Sequence, residues 1–189
     1  MDQFTRMALE NVKYDESIHQ SATLSAESVE VKEVLSVEDV KKLDLQVDAI
    51  QKNVYKGQDT YLVTIPVKKA ANEIQEVVVA TFKNGTSSLE NVRIMYFDLT
   101  TGVLEMGFKE LDGSATVSGV FNEDFELIEF KQEGELQVSG QSCLEKAWNA
   151  LPWFVKAACA GICGSAFSLN PISLVACAGC LGGSALNCI

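Results

Sequence analysis

The sequence predicts an α+β protein: an N-terminal antiparallel sheet with one packed helix, followed by a small disulfide-stapled helical C-terminal domain. Three observations carry this expectation. From Tyr55 to Val138, runs rich in β-branched and aromatic residues are separated by Asn84-Gly85, Thr101-Gly102, Asp112-Gly113 and Glu133-Gly134, the pattern of strands joined by turns. Ahead of them, one segment carries apolar residues at helical spacing. All six cysteines lie between Cys143 and the C-terminus, and none precedes Cys143. The expected division is a mobile N-terminal arm (1–35), an α+β carrier or immunity domain (36–138), a linker (139–142) and a Cys-rich peptide (143–189).

The arm is rich in Ser, Glu, Gln and Lys, with single scattered apolar residues, so it has little to bury. It holds His19, the one histidine of the chain. In such a segment His19 reads as a solvated side chain rather than a catalyst. The helix is expected to start at Ser36, with Ser36 and Asp39 forming a capping box. Val40, Leu43, Val47 and Ile50 then continue one apolar face to about Lys52-Asn53. Five or six strands follow. Tyr61, Val63 and Ile65 alternate up to Pro66, which marks an edge strand or a strand end. Glu76 to Phe82 runs into Asn84-Gly85, read as a type I′ hairpin turn. Val92–Leu99, Val103–Leu111, Ala115–Phe121 and Phe125–Phe130 complete the main runs. Apolar residues on both parities, as in Arg93-Ile94-Met95-Tyr96-Phe97, predict strands covered on both sides, one by the helix and part of the other by the tail.

The net charge of −11 is unevenly placed. From Gln141 onward the charged side chains are Lys146, Lys156 and Glu145, so the whole acidic surplus lies in the body before Gln141. An acidic body argues against nucleic acid as a partner, since phosphate binding needs clustered Lys and Arg. It suits a weakly cationic or apolar partner, and the nearest is the tail itself. Glu105, Glu110, Asp112, Glu123, Asp124, Glu126 and Glu129 lie in turns or alternate with apolar residues. They read as a solvated sheet face rather than a catalytic acid-base pair. No enzyme activity and no cofactor are expected.

Gly134, Ser139, Gly140, Gln141 and Ser142 mark a polar junction where a processing protease has access. Beyond it, Trp148 and Trp153 beside Lys156 suit a membrane-water boundary, with packing in a small core as the alternative. From Ala157 to Ile189 no side chain is charged. That stretch is long enough to span a bilayer, but Pro171 and the glycines disfavour one straight helix. Cys159 and Cys163 share one helix face, and Cys177 and Cys180 share another. With Cys143 and Cys188 near the ends, the picture is a helical hairpin closed by disulfides, each contributing roughly 2–4 kcal/mol. The spacing Cys159-x3-Cys163 and Cys177-x2-Cys180 also allows a four-thiolate zinc site in a non-toxic interaction module. Cys177-Ala178-Gly179-Cys180 as a redox pair lacks the preceding strand of a thioredoxin-like fold. The cysteine density favours an oxidising compartment. Residues 1–30 show no basic stretch followed by an apolar run, so the expected secreted location comes without a visible signal peptide.

Cys159-Ala160-Gly161-Ile162-Cys163-Gly164, Cys177-Ala178-Gly179-Cys180-Leu181-Gly182-Gly183 and the ending Asn187-Cys188-Ile189 resemble the halocin C8-like bacteriocin domain family. Its bacterial relatives are fusions of an immunity segment and a bacteriocin. The likeness covers about a quarter of the chain at motif level, and Ser165 and Ser173 stand where relatives carry Cys. The resemblance implies a precursor. Its C-terminal peptide is released by proteolysis near Gly134–Ser142 and acts at the target-cell membrane. Its N-terminal domain binds that peptide and protects the producer.

Overall fold

The computed structural model describes residues 19–55, 59–68, 74–98, 100–121 and 127–134. Eight strands form one antiparallel sheet in chain order. They are β1 (His19–Thr23), β2 (Gln51–Tyr55), β3 (Thr60–Pro66), β4 (Ile74–Lys83), β5 (Leu89–Asp98), β6 (Leu104–Lys109), β7 (Thr116–Phe121) and β8 (Leu127–Glu133). One α-helix among the described residues, α1 (Val29–Ser36), lies between β1 and β2 in sequence, followed by a 3-10 turn at Val40–Lys42. An antiparallel sheet with one packed helix is thus the architecture of the body. The strand count rises from the expected five or six to eight.

The two added strands and the helix correct the reading of the chain up to Tyr55. The expected arm through residue 35 contains β1 and nearly all of α1; residues 1–18 lie outside the described residues. The helix begins after Ser28, not Ser36. Ser28 Oγ accepts from the backbone N–H of Val31 at 3.4 Å, and Val31 and Val34 turn one buried face to the sheet. Ser36 instead ends the helix, donating from Oγ to the Glu33 carbonyl at 2.6 Å. Glu38 and Asp39 pair with Lys41 and Lys42 around a single 3-10 turn, so the residues read as a helix start support only that turn. The predicted helix end, Lys52-Asn53, is strand β2.

The turns follow the sequence more closely. Gly102 and Gly113 take the positive φ of 81° and 75° that their turns require. Ser114 N–H donates to Asp112 Oδ1 at 2.8 Å. Between β4 and β5 the hairpin forms, but its loop is wider than a type I′ pair. Lys83 N–H donates to the Ser88 carbonyl at 3.0 Å, and the left-handed residues are Gly85 and Ser87. Pro66 closes β3, which lies inside the sheet between β2 and β4, so the strand-end reading holds and the edge reading does not.

The register divides the side chains between two faces. Tyr61, Val63 and Ile65 stand opposite Phe82, Ala80 and Val78. On this first face they form a core with Val31 and Val34 of α1 and with Val40, Leu45 and Ile50. The Tyr61 and Phe82 rings stack with centroids 5.4 Å apart. Glu30 ties α1 to the sheet, accepting from Lys52 Nζ at 3.1 Å and Tyr61 Oη at 3.3 Å. Lys52 Nζ also sits 3.8 Å from the centre of the Tyr61 ring, a cation–π contact.

Two serines test the helix boundary. Ser28→Ala is expected to cost about 1 kcal/mol, the usual loss for an N-cap. Ser36→Ala should stay within about 0.5 kcal/mol, because its bond is exposed. Urea unfolding of the two variants reads the difference; equal losses would move the cap away from Ser28.

Candidate functional site

The second face of the sheet carries the residues of opposite parity. Cross-strand rows run Thr64–Val79–Arg93 and Val77–Met95–Phe108. Leu62, Thr64, Val77 and Phe97 are fully buried, and Val79, Met95 and Phe108 nearly so. None of them belongs to the core beneath α1. Polar groups along β2 and β3 are satisfied internally. Asn53 Nδ2 donates to Thr64 Oγ1 at 3.1 Å, and Thr64 Oγ1 donates to the Gln51 carbonyl at 3.4 Å. These central rows are therefore dry and mostly apolar, with one cation among them.

That cation is Arg93, in the middle of β5 and only 6% exposed. Its Nε donates to Glu110 Oε1 at 3.0 Å, which neutralises the guanidinium from one side. Its Nη1 is buried and has no hydrogen-bond partner among the described residues. A buried, unpaired donor on a charged group is costly, roughly 1–3 kcal/mol or more. In folded proteins such groups are nearly always paired, so this one marks where an acceptor belongs.

The first face changes character beyond α1. Across β4 to β8 it carries Glu76, Tyr96, Lys109, Glu105, Ser118 and Lys131 in register. Lys109 Nζ donates to Glu76 Oε1. Glu105 is a hub: Oε1 accepts from Tyr96 Oη at 3.0 Å and Ser118 Oγ at 2.8 Å, and Oε2 from Lys131 Nζ at 2.7 Å. Partial burial works to raise the Glu105 carboxyl, but the hydrogen bonds from Lys131, Ser118 and Tyr96 outweigh it and hold it below the usual range. Burial, with the nearby Glu105 charge, pushes the Tyr96 hydroxyl up to about 12. Tyr96 stays protonated and serves as a donor at every ordinary pH. The hub is a structural clasp joining β5, β6, β7 and β8.

The carboxylates expected on a solvated face divide accordingly. Glu129 is exposed and Asp112 caps a turn, as read. Glu105 and Glu110 are instead tied into ion pairs. Glu123, Asp124 and Glu126 lie outside the described residues. So do Cys143, Cys159, Cys163, Cys177, Cys180 and Cys188, with Trp148, Trp153 and Lys156, and Ser139, Gly140, Gln141 and Ser142 of the junction. Gly134 is described. It has φ +74°, and a Cβ there would collide with the Ser114 carbonyl and press on Ala115. The end of β8 therefore packs closely on the β6–β7 turn, with Gly134 next to the last residue of the strand. Comparison with protein-family models, with curated proteins and with solved structures gives no match for this chain.

Two measurements follow. The depressed Glu105 carboxyl contributes stability that is present above the unfolded value, about 4.3, and lost as pH falls through the lower folded value. Glu105→Gln should cost about 1–2 kcal/mol at neutral pH, and its deficit relative to the parent should shrink toward zero as the pH falls below that folded value in denaturant titrations. Gly134→Ala should destabilise the body by roughly 1–3 kcal/mol through its left-handed backbone and the collision, seen as a lower thermal midpoint. A neutral result would show that the backbone around Gly134 yields to a side chain without cost.

Proposed function

We propose that the chain is the precursor of a secreted, disulfide-rich antimicrobial peptide of bacteriocin type, residues 143–189. Residues up to the junction form the domain that binds and neutralises the peptide until proteolysis releases it. The observation that carries this reading is segregation along the chain. Every cysteine follows Ser142, and no charged side chain follows Lys156, whereas the acidic surplus lies before Gln141. The described sheet supports the division, because its last strand ends at Glu133. A protease cutting within 135–142 would thus act beyond β8. The resemblance of the Cys-Gly-Ala motifs to the halocin C8-like family points the same way.

In this reading the peptide folds as a small helical unit stapled by its six cysteines, too short to hold itself together by burial alone. Trp148, Trp153 and Lys156 are its contacts with the target-cell membrane. The body has no catalytic task and needs no cofactor. The four-thiolate zinc module remains the competing reading, favoured by the spacing of Cys159, Cys163, Cys177 and Cys180.

Mass spectrometry of the product released by the host separates the two. A gain of about six hydrogens on reduction, from three disulfides, together with cleavage inside 135–142, is expected of the precursor. A full-length chain retaining a zinc ion in native mass measurement would reverse the choice. The neutralising role is tested by mixing. The oxidised peptide should inhibit sensitive cells, and added body that has been freed of its own segment should abolish the inhibition; a peptide that neither binds nor inhibits would end the proposal.

A further inference from the structure

Several features of the body are accounted for by the contacts that hold it together. The Glu105 hub is saturated by its three donors. The Glu30–Lys52–Tyr61 cluster anchors α1. The exposed apolar residues Val29, Val47, Val103 and Ile128 are scattered over separate parts of the chain. The second face of the sheet is different, because it combines dense burial, an apolar lining and one unpaired donor.

We infer that the second face of the sheet, centred on Arg93, Met95 and Phe108, is the seat on which the chain's own segment 143–189 docks, with Arg93 Nη1 donating to an oxygen of that segment. The inference rests on the reading of the chain as a precursor whose body holds its own tail. Four observations support it.

The first is coverage. Leu62, Val77, Met95 and Phe97 are buried, while the described helix lies on the opposite face. A buried sheet face needs a layer against it, because each large side chain left in water forgoes roughly 1.5–3 kcal/mol. The second is length and position. Beyond Gly134 the chain runs on to Ile189, and it leaves from β8, at one margin of the sheet. Extended chain reaches roughly 3.3 Å per residue, so the short junction alone is enough to bring the segment back over the central strands. The third is composition. Apart from Lys146, Lys156 and Glu145 the segment has no charged side chain, so most of it can enter a dry face without stranding a charge. The fourth is Arg93. A lone guanidinium already balanced by Glu110 calls for a further hydrogen bond more than for a second full charge. Backbone carbonyls of a segment poor in acidic residues supply such acceptors.

Docking of this kind gives the body a way to recognise the segment. Apolar contact with Val77, Met95 and Phe108 supplies area, and the single buried donor fixes orientation. It also hides the surface that a membrane-seeking peptide must expose to act.

The test uses the intact, oxidised chain. A benzophenone side chain replaces Phe108 on the second face, and in a parallel protein Phe82 beneath α1. Photolysis and peptide mapping should join position 108 to residues 143–189 and position 82 to α1. Cross-links from 108 that fall only within residues 19–134 overturn the inference. A second measurement does not depend on the bulky probe. The chain is cut in its junction, and retention of the released segment by the body is followed by size exclusion. Arg93→Met should weaken retention by about tenfold or more, the scale of one buried charge-assisted bond. Circular dichroism should show the sheet intact. Equal retention by parent and variant places the segment elsewhere and overturns the inference. Neither readout involves killing: a chain that docks its tail here but inhibits no cell fails the proposed function alone.

Discussion

Burial of the central strands on both faces is the constraint on which the rest of the molecule depends. From Tyr61 to Pro66 every residue of β3 is buried, and the middle of β4 is the same. Strands of that kind cannot stand with one side in water. Helix α1 supplies the layer for one side, but it is short, Val29–Ser36, about 12 Å of rod. Seven strand spacings make the sheet roughly 34 Å wide. The helix covers the β2–β5 region and no more. Over β5 to β8 the first face changes strategy. It gives up apolar packing for a web of hydrogen bonds centred on Glu105, whose partners come from three neighbouring strands.

The second face has no such change of character in its central rows. Leu62, Val77, Met95 and Phe97 continue across β3, β4 and β5, and Arg93 is the one charge set among them. The two faces therefore ask for different things. The first is complete with α1 and its polar web. The second presents an apolar field with one buried guanidinium nitrogen that has no partner among the described residues.

The sheet was legible wherever turns carried glycine beside a polar residue, because a left-handed φ selects glycine and burial does not disguise it. The hairpins at Gly85, Gly102 and Gly113 follow directly. β1 and β2 were illegible for the opposite reason. His-Gln-Ser-Ala-Thr reads as surface sequence because Gln20, Ala22 and Thr23 are exposed; Gln-Lys-Asn-Val-Tyr reads the same way, yet Gln51 and Asn53 are buried, and hydrogen bonds to Thr64 stand in for apolar contact there. The helix was displaced because Val40, Leu43, Val47 and Ile50 match a helical period by coincidence: Ile50 is buried, but Val47 is 44% exposed. Val29, Val31 and Val34 are weak helix formers whose state is decided by packing rather than propensity. For the site, Arg93-Ile94-Met95-Tyr96-Phe97 did disclose a strand covered on both sides. It did not disclose that the arginine is buried, since a lone Arg in a strand is read by default as its wet side. The segregated cysteines and charges were legible at once, because they need no three-dimensional context.

Gly134 has a consequence for how the molecule can come apart. Beside its ladder with β7, the end of β8 lies so close to Ser114 and Ala115 that a side chain at 134 has no room. Backbone lies against backbone there, and only the absence of a side chain at 134 allows the approach. One methyl group at 134 would therefore act as a wedge at the margin of the sheet, where the end of β8 meets the β6–β7 turn.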